Sequence, residues 1–247
     1  MTFPSRNRAK RKLEQGKTVS CVAGLLSSHM IDFLGQFGFD AVWIETEHGP
    51  IDYADLPDMT RACDLWGMTS IVRVNQENYG MIYRTLDMRA LGEDVPHIDT
   101  AEQAQYVVQA AKFHPIGKRG MYPSRQSYGR KDFFAEQNDE TLIIAMIEDI
   151  RAVENLAEIL KVEYIDVFMV APGDLRQSMG IMESGHPDIA AMEQRAIEQI
   201  VSAGRIAGAE VRDETVDKYR EMGAKFLLNN WPEWVASSAR KYLSRIS

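Results

Sequence analysis

The chain has little cysteine, no long apolar run and no surplus of positive charge, and each shortage closes a class of function. Its two cysteines, Cys21 and Cys63, stand in apolar surroundings at no metal-ligand spacing. A lone pair in 247 residues builds no disulfide framework, so both read as buried free thiols. No apolar stretch approaches the roughly 20 residues that span a bilayer. The opening SRNRAKRKLEQGK lacks the apolar region of a secretory signal; it carries Glu14 and runs into a strand. That fits an amphipathic leading helix and a cytoplasmic protein. The net charge of -8 disfavours nucleic acid and anionic membrane as partners, while leaving room for a small acid in a locally basic pocket. There is no GxGxxG after the first strand, no P-loop and no glycine-rich phosphate cup near the end, which disfavours nucleotide cofactors and sugar phosphates.

What is present is a regular beat of short apolar runs and amphipathic stretches. TVSCVAGLL, DAVWIE, TSIVRVN, the weaker EDVPHID, IIAMIED, YIDVFMVAPGD, RIAGAEV and AKFLLN read as strands. Helical patterns separate most of them, including HMIDFLGQFG, YGMIYRTLDMRA and TAEQAQYVVQAAKF, the last opened by Thr100 as N-cap with Gln103 at the capping-box position. RAVENLAEILKVE reads as one crossover helix, and WPEWVASSARKYLSRI closes the chain. The strand count and length predict a single (β/α)8 TIM barrel spanning residues 1–247. The segment HPIGKRGMYPSRQSYGRKD, with five cationic side chains, is too long for a tight connection and reads as a functional or interface loop.

In such a barrel the chemistry lies at the carboxyl ends of the strands. Glu148 ends the fifth apolar run and Asp174 follows the sixth, so the two acids should meet, as oxygen ligands for Mg2+ or Mn2+. The competing reading makes both acids helix caps. Strand two ends in Glu45-Thr46-Glu47-His48-Gly49, a histidine beside two acids, as a general base oriented by a carboxylate requires. Arg73 lies inside an apolar strand, where its charge needs an acidic substrate or a neighbouring carboxylate. Base, cation and metal together could take a proton from carbon next to a carbonyl and hold the enolate.

The pieces GFDAVWIETEHGP, SIVRVN, RTLDM, VPHIDTAEQA, GKRGMY, MIED with ENLAEIL, and IDVFMVAPGDLRQSMG resemble the HpcH/HpaI aldolases nearly end to end. The resemblance implies reversible aldol cleavage of a 4-hydroxy-2-oxo acid, releasing pyruvate and an aldehyde, with Mg2+, Mn2+ or Co2+ as cofactor. It implies His48 as base, Glu45 beside it, Arg73 as enolate-stabilising cation and Asp87 as the carboxylate that raises the basicity of His48. Glu148 and Asp174 become the metal ligands, and the Gly173 N–H a holder of the substrate carboxylate. Arg119 and Ser124, in the cationic loop, are expected to contact substrate and choose the aldehyde. The family's last helix is exchanged between subunits, so Trp231 to Ile246 is expected to be exchanged in a homo-oligomer, a hexamer or a dimer-based assembly.

Two other readings remain beside the aldolase. One is a decarboxylase of oxaloacetate-like acids, which passes through the same enolate; the other is a silent barrel that binds a small acid. Three departures from the family pattern bear on the choice. Met146 replaces a frequent Gln, and Thr46 replaces a usual Gly. In MRALGEDVPHI, Arg89 replaces Gly, and Glu93 and Asp94 replace apolar residues. That last segment is expected to be loosened or shifted, because adjacent carboxylates in a covered strand cannot both escape burial.

Overall fold

The computed structural model describes residues 7–183 and 185–246. Eight parallel strands close into a barrel in chain order, each neighbour paired with the next and the eighth with the first. The strands are β1 (Val19–Ala23), β2 (Ala41–Glu45), β3 (Thr69–Arg73), β4 (Gly92–Val95), β5 (Leu142–Ile147), β6 (Val167–Val170), β7 (Ala207–Glu210) and β8 (Phe226–Asn230). All eight coincide with the strand-like runs, the fourth and fifth each starting one residue earlier than its sequence pattern. Both faces of each strand are covered, so most of the runs are apolar and easy to see in sequence, β4 with Glu93 and Asp94 being the weak one.

Alternation along each strand divides the core in two. In β5, Leu142, Ile144 and Met146 join Cys21, Trp43, Ile71, Met169, Phe226 and Leu228 inside the barrel. Ile143, Ala145 and Ile147 instead pack outward against the helical shell, with Val22, Ile44, Val72 and Val170. The interior is filled to the point where β4 and β7 need glycine. A Cβ on Gly92 would meet Ile71 and Leu142 at 3.2 Å, and one on Gly208 would meet the Met169 sulfur at 2.8 Å.

The amino end is plugged. The helix Arg8–Glu14 lies across it, with the Asn7 amide donating to the carbonyls of Leu91 and Glu140 and the Lys10 ammonium to that of Thr141. Lys112, 1% exposed, donates to the carbonyls of Asn138 and Thr141, and burial pushes its pKa down to about 7. The carboxyl end stays open and carries the site.

One helical expectation changes, and one helix was not read from the sequence. The crossover after β5 is two short helices, Ile150–Glu154 and Leu156–Ile159, meeting at Asn155, whose side chain donates to the Asp99 carbonyl. A 16-residue helix, Pro187–Ser202, fills the crossover between β6 and β7. The closing helix Trp231–Leu243 has no buried residue. It is anchored at its start, where Trp231 donates to the Gly24 carbonyl and Trp234 stacks on Phe39 at 5.8 Å. No helix among the described residues is long and apolar enough to cross a membrane.

Candidate active site

A cavity of about 330 Å³ opens at the carboxyl end, lined among others by Trp43, Glu45, Arg73, Met146, Gly173 and Asp174. Arg73 is its central cation, on the last position of β3 and paired in register with Glu45 of β2 and Asp94 of β4. Its Nε and Nη2 reach one Glu45 oxygen at 2.7 and 2.6 Å, and its Nη1 lies 3.1 Å from Glu47. The other Glu45 oxygen accepts the N–H groups of Glu47 at 2.7 Å and His48 at 3.0 Å. Burial alone would raise the Glu45 carboxyl; the hydrogen bonds and charge of Arg73 and the two N–H groups hold it below the usual range. Thr46 fits the turn, its N–H and hydroxyl both donating to the Arg73 carbonyl at 3.1 and 2.6 Å. Met146 offers its sulfur 3.8 Å from Arg73 Nη1.

His48 projects from this turn with 67% of its side chain exposed, its Nε2 3.4 Å from Glu47. Asp87 does not take it up. The Asp87 carboxylate, at the end of the helix Tyr79–Asp87, instead accepts from Arg119 Nη2 at 2.7 Å. Arg119 is 1% exposed in its side chain and lies over the Phe113 ring at 4.6 Å, and Ser124 is 4% exposed. Asp87, Arg119 and Ser124, like His48 and Glu148, are not among the residues that line the cavity itself. The Arg119 pairing has a local reason: burial leaves the guanidinium one strong option, the nearest carboxylate.

Glu148 follows β5 and is 1% exposed. One oxygen accepts the His97 N–H at 2.8 Å and lies 3.2 Å from His97 Nδ1. The other is buried with no hydrogen-bond partner among the described residues. Burial, with the charges of Asp174 and Glu47 adding to it, pushes the carboxyl up to about 7 against the opposing His97. Asp174 is the third residue of the helix Pro172–Ser178 and makes no capping bond, Ala171 being the cap. Asp149, not Glu148, caps the helix after β5. Neither acid is therefore a helix cap, and both are free to turn to a ligand. Gly173 lies in the same first turn, where the backbone N–H groups lack intrahelical acceptors, and lines the cavity.

Sequence reasoning missed two residues that belong here. Asp94 was read as part of a defect, yet it points inward beneath the site: it is fully buried, both oxygens lack partners among the described residues, and Arg73, Glu148, Glu45 and Glu47 are the charges around it. Burial drives its carboxyl well above the usual range. His97 was passed over because its contact with Glu148 begins at a backbone N–H, although its place just past β4 was a usable signal. The expected loosening of this segment does not occur. β4 keeps its register with β3 and β5, and Arg89 pairs with Asp64, not with Glu93 or Asp94.

Residues 22–227 match the model of the HpcH/HpaI aldolase/citrate lyase family. The chain is 34% identical over 228 residues to 2-keto-3-deoxy-L-rhamnonate aldolase of Klebsiella pneumoniae, covering 90% of this chain and 85% of that one. It is 31% identical to hydroxypyruvate/pyruvate aldolase of Roseobacter denitrificans, covering 90% and 89%. Among solved structures it is similar to an HpcH/HpaI aldolase/citrate lyase family protein from Burkholderia cenocepacia, with TM-score 0.91, 25% identity and 97% and 99% coverage. The HpcH/HpaI aldolase of Desulfitobacterium hafniense gives TM-score 0.88 at 25% identity, with 96% and 95% covered. The chain belongs to the HpcH/HpaI aldolase/citrate lyase family, and with it to the carbon–carbon lyases.

Proposed function

We propose that this enzyme reversibly cleaves a 4-hydroxy-2-oxo acid to pyruvate and an aldehyde, with a divalent cation held by Glu148 and Asp174. The observation that carries the reading is the buried, unpartnered oxygen of Glu148 beside Asp174: the pair lacks a positive charge, and oxygen donors with room for water and substrate suit Mg2+, Mn2+ or Co2+. A bound cation would supply Lewis acidity toward the keto oxygen and carboxylate of the substrate.

The chain's own groups do the rest. The first-turn N–H of Gly173 receives the substrate carboxylate at the cavity wall. His48 takes the proton from the 4-hydroxyl; the C3–C4 bond breaks, its electrons pass into the enolate of pyruvate, and the aldehyde carbonyl forms. Arg73, held by Glu45 and Glu47, presents its guanidinium to the developing enolate charge. Protonation of C3 then yields the methyl group of pyruvate. The weakly anchored closing helix supports a homo-oligomer in which that helix is exchanged. The test is pyruvate release from a panel of 2-keto-3-deoxy sugar acids with added Mg2+, Mn2+ or Co2+, followed by coupled reduction to lactate. Release with at least one of them is expected; none from any, with the cation bound, contradicts the reading.

A further inference from the structure

We propose that His97 is a positioning residue that fixes the orientation of Glu148, occupying one carboxylate oxygen and leaving the other for the cation. The inference rests on the reading of Glu148 as a metal ligand and assigns a role to a residue outside that reading's ligand set.

Three observations carry it. First, the His97 backbone N–H donates to one Glu148 oxygen at 2.8 Å and its Nδ1 lies 3.2 Å from the same oxygen, while the second oxygen is buried with no partner among the described residues. A carboxylate with one oxygen held by a backbone N–H and an imidazole beside that same oxygen has less freedom to lose when its other oxygen binds a cation. Second, His97 has φ 55°, in the left-handed region that a side chain other than glycine's adopts at a cost. That conformation aims its N–H at Glu148, and the strain persists because the surroundings lock it. Pro96 precedes it, and the Ile98 N–H donates to the Met146 carbonyl of β5. Gln103 donates to the His97 carbonyl while closing the capping box of the helix Ala101–Ala111. The start of that helix therefore holds the turn, and the turn holds the carboxylate. Third, the far side of the imidazole faces the rest of the site: Nε2 lies 3.7 Å from Glu47, which reaches Arg73 with its other oxygen. The ring thus lies between the carboxylate of Glu148 and that of Glu47.

The experiment is Mn2+ titration of the full chain without substrate, with free Mn2+ read by electron paramagnetic resonance. The proteins compared are the parent, His97→Gly, His97→Asn and Glu148→Gln. Glycine keeps the backbone conformation and N–H but removes the ring; asparagine tolerates the left-handed region and carries an amide N–H near the place of Nδ1. His97→Gly should weaken Mn2+ binding about 10- to 100-fold, the usual loss for a partner of a ligand. His97→Asn should remain within about 3-fold of the parent, because the donor survives. Parent-like affinity in His97→Gly, with Glu148→Gln having lost Mn2+, overturns the proposal and leaves the metal reading standing. Equal weakening in both His97 variants also overturns it, since Nδ1 would not be the acting donor. Parent-like affinity in Glu148→Gln removes the metal reading itself. The two failures are therefore distinguishable.

Discussion

Arg73 shows how much a single side chain's chemistry depends on its neighbours. Its guanidinium meets Glu45 through two nitrogens and Glu47 through a third, with Asp94 beneath it. An arginine inside an apolar strand announces an acidic partner from sequence alone, and the turn after β2 supplies two. Asp94 could not be assigned in the same way. Alternation says that Glu93 and Asp94 face opposite sides; only the register of β4 against β3 places Asp94 level with Arg73. Lysine at position 73 keeps a charge but cannot hold both glutamates and still face the cavity. Arg73→Lys should lower turnover about 100-fold, the scale of losing one stabilising donor, while Mn2+ affinity changes far less. Steady-state kinetics beside a metal titration checks this, and unchanged turnover would make Arg73 a structural ion-pair partner only.

At the scale of the element, β4 is where sequence and fold are in tension. Glu93 is fully buried; one oxygen takes the Thr85 hydroxyl and the other has no partner among the described residues. Asp94 is buried with neither oxygen bonded among the described residues, and Arg89 sits at φ 85° where glycine is at ease. The strand holds because Gly92 and Val95 pack, it pairs with β5 along its whole length, and it pairs with β3 from Gly92 to Asp94. Burial raises both carboxyls well above their ordinary values, so between about pH 4 and those raised values the folded chain binds more protons than the unfolded one, and stability falls as pH rises. Replacing Arg89, Glu93 and Asp94 by Gly, Val and Ile should raise the melting temperature by about 4–8 °C at pH 8, equivalent to roughly 2 kcal/mol. The gain should shrink toward pH 4. Scanning fluorimetry across that range decides it, and no gain at pH 8 would mean that the charges are satisfied where they lie. Elements with one dominant signal were legible: the strands from their unbroken apolar runs, and the helix Ala101–Ala111 from its capping box, which the structure contains. The crossover after β5 was not. Asn155 interrupts the helix through a bond to Asp99 that is distant in the chain, and distant bonds leave no local pattern.

For the molecule as a whole, the barrel follows from its periodicity, while the closing helix lies largely exposed on its surface. Val235 and Tyr242 are 48% and 64% exposed on a helix that buries no residue and is anchored near Trp231 and Trp234. The outer face of β1 and β8 leaves a cavity of about 280 Å³ beside Phe39, Asn229 and Trp234. A neighbouring copy of the helix is the economical cover for both surfaces. The chain should elute as an oligomer at micromolar concentration, and truncation before Trp231 should yield smaller species. A clean monomer of the full chain by light scattering would count against exchange.

The central claim is that the cavity makes the enolate of pyruvate, whatever aldehyde is joined to it. Exchange of pyruvate's methyl protons in D2O, followed by proton NMR with and without Mg2+, Mn2+ or Co2+, tests that claim without knowledge of the natural substrate. The account predicts loss of the methyl signal that depends on both protein and cation, and that is reduced in Glu148→Gln and Asp174→Asn. Exchange no faster than with the cation alone would contradict it.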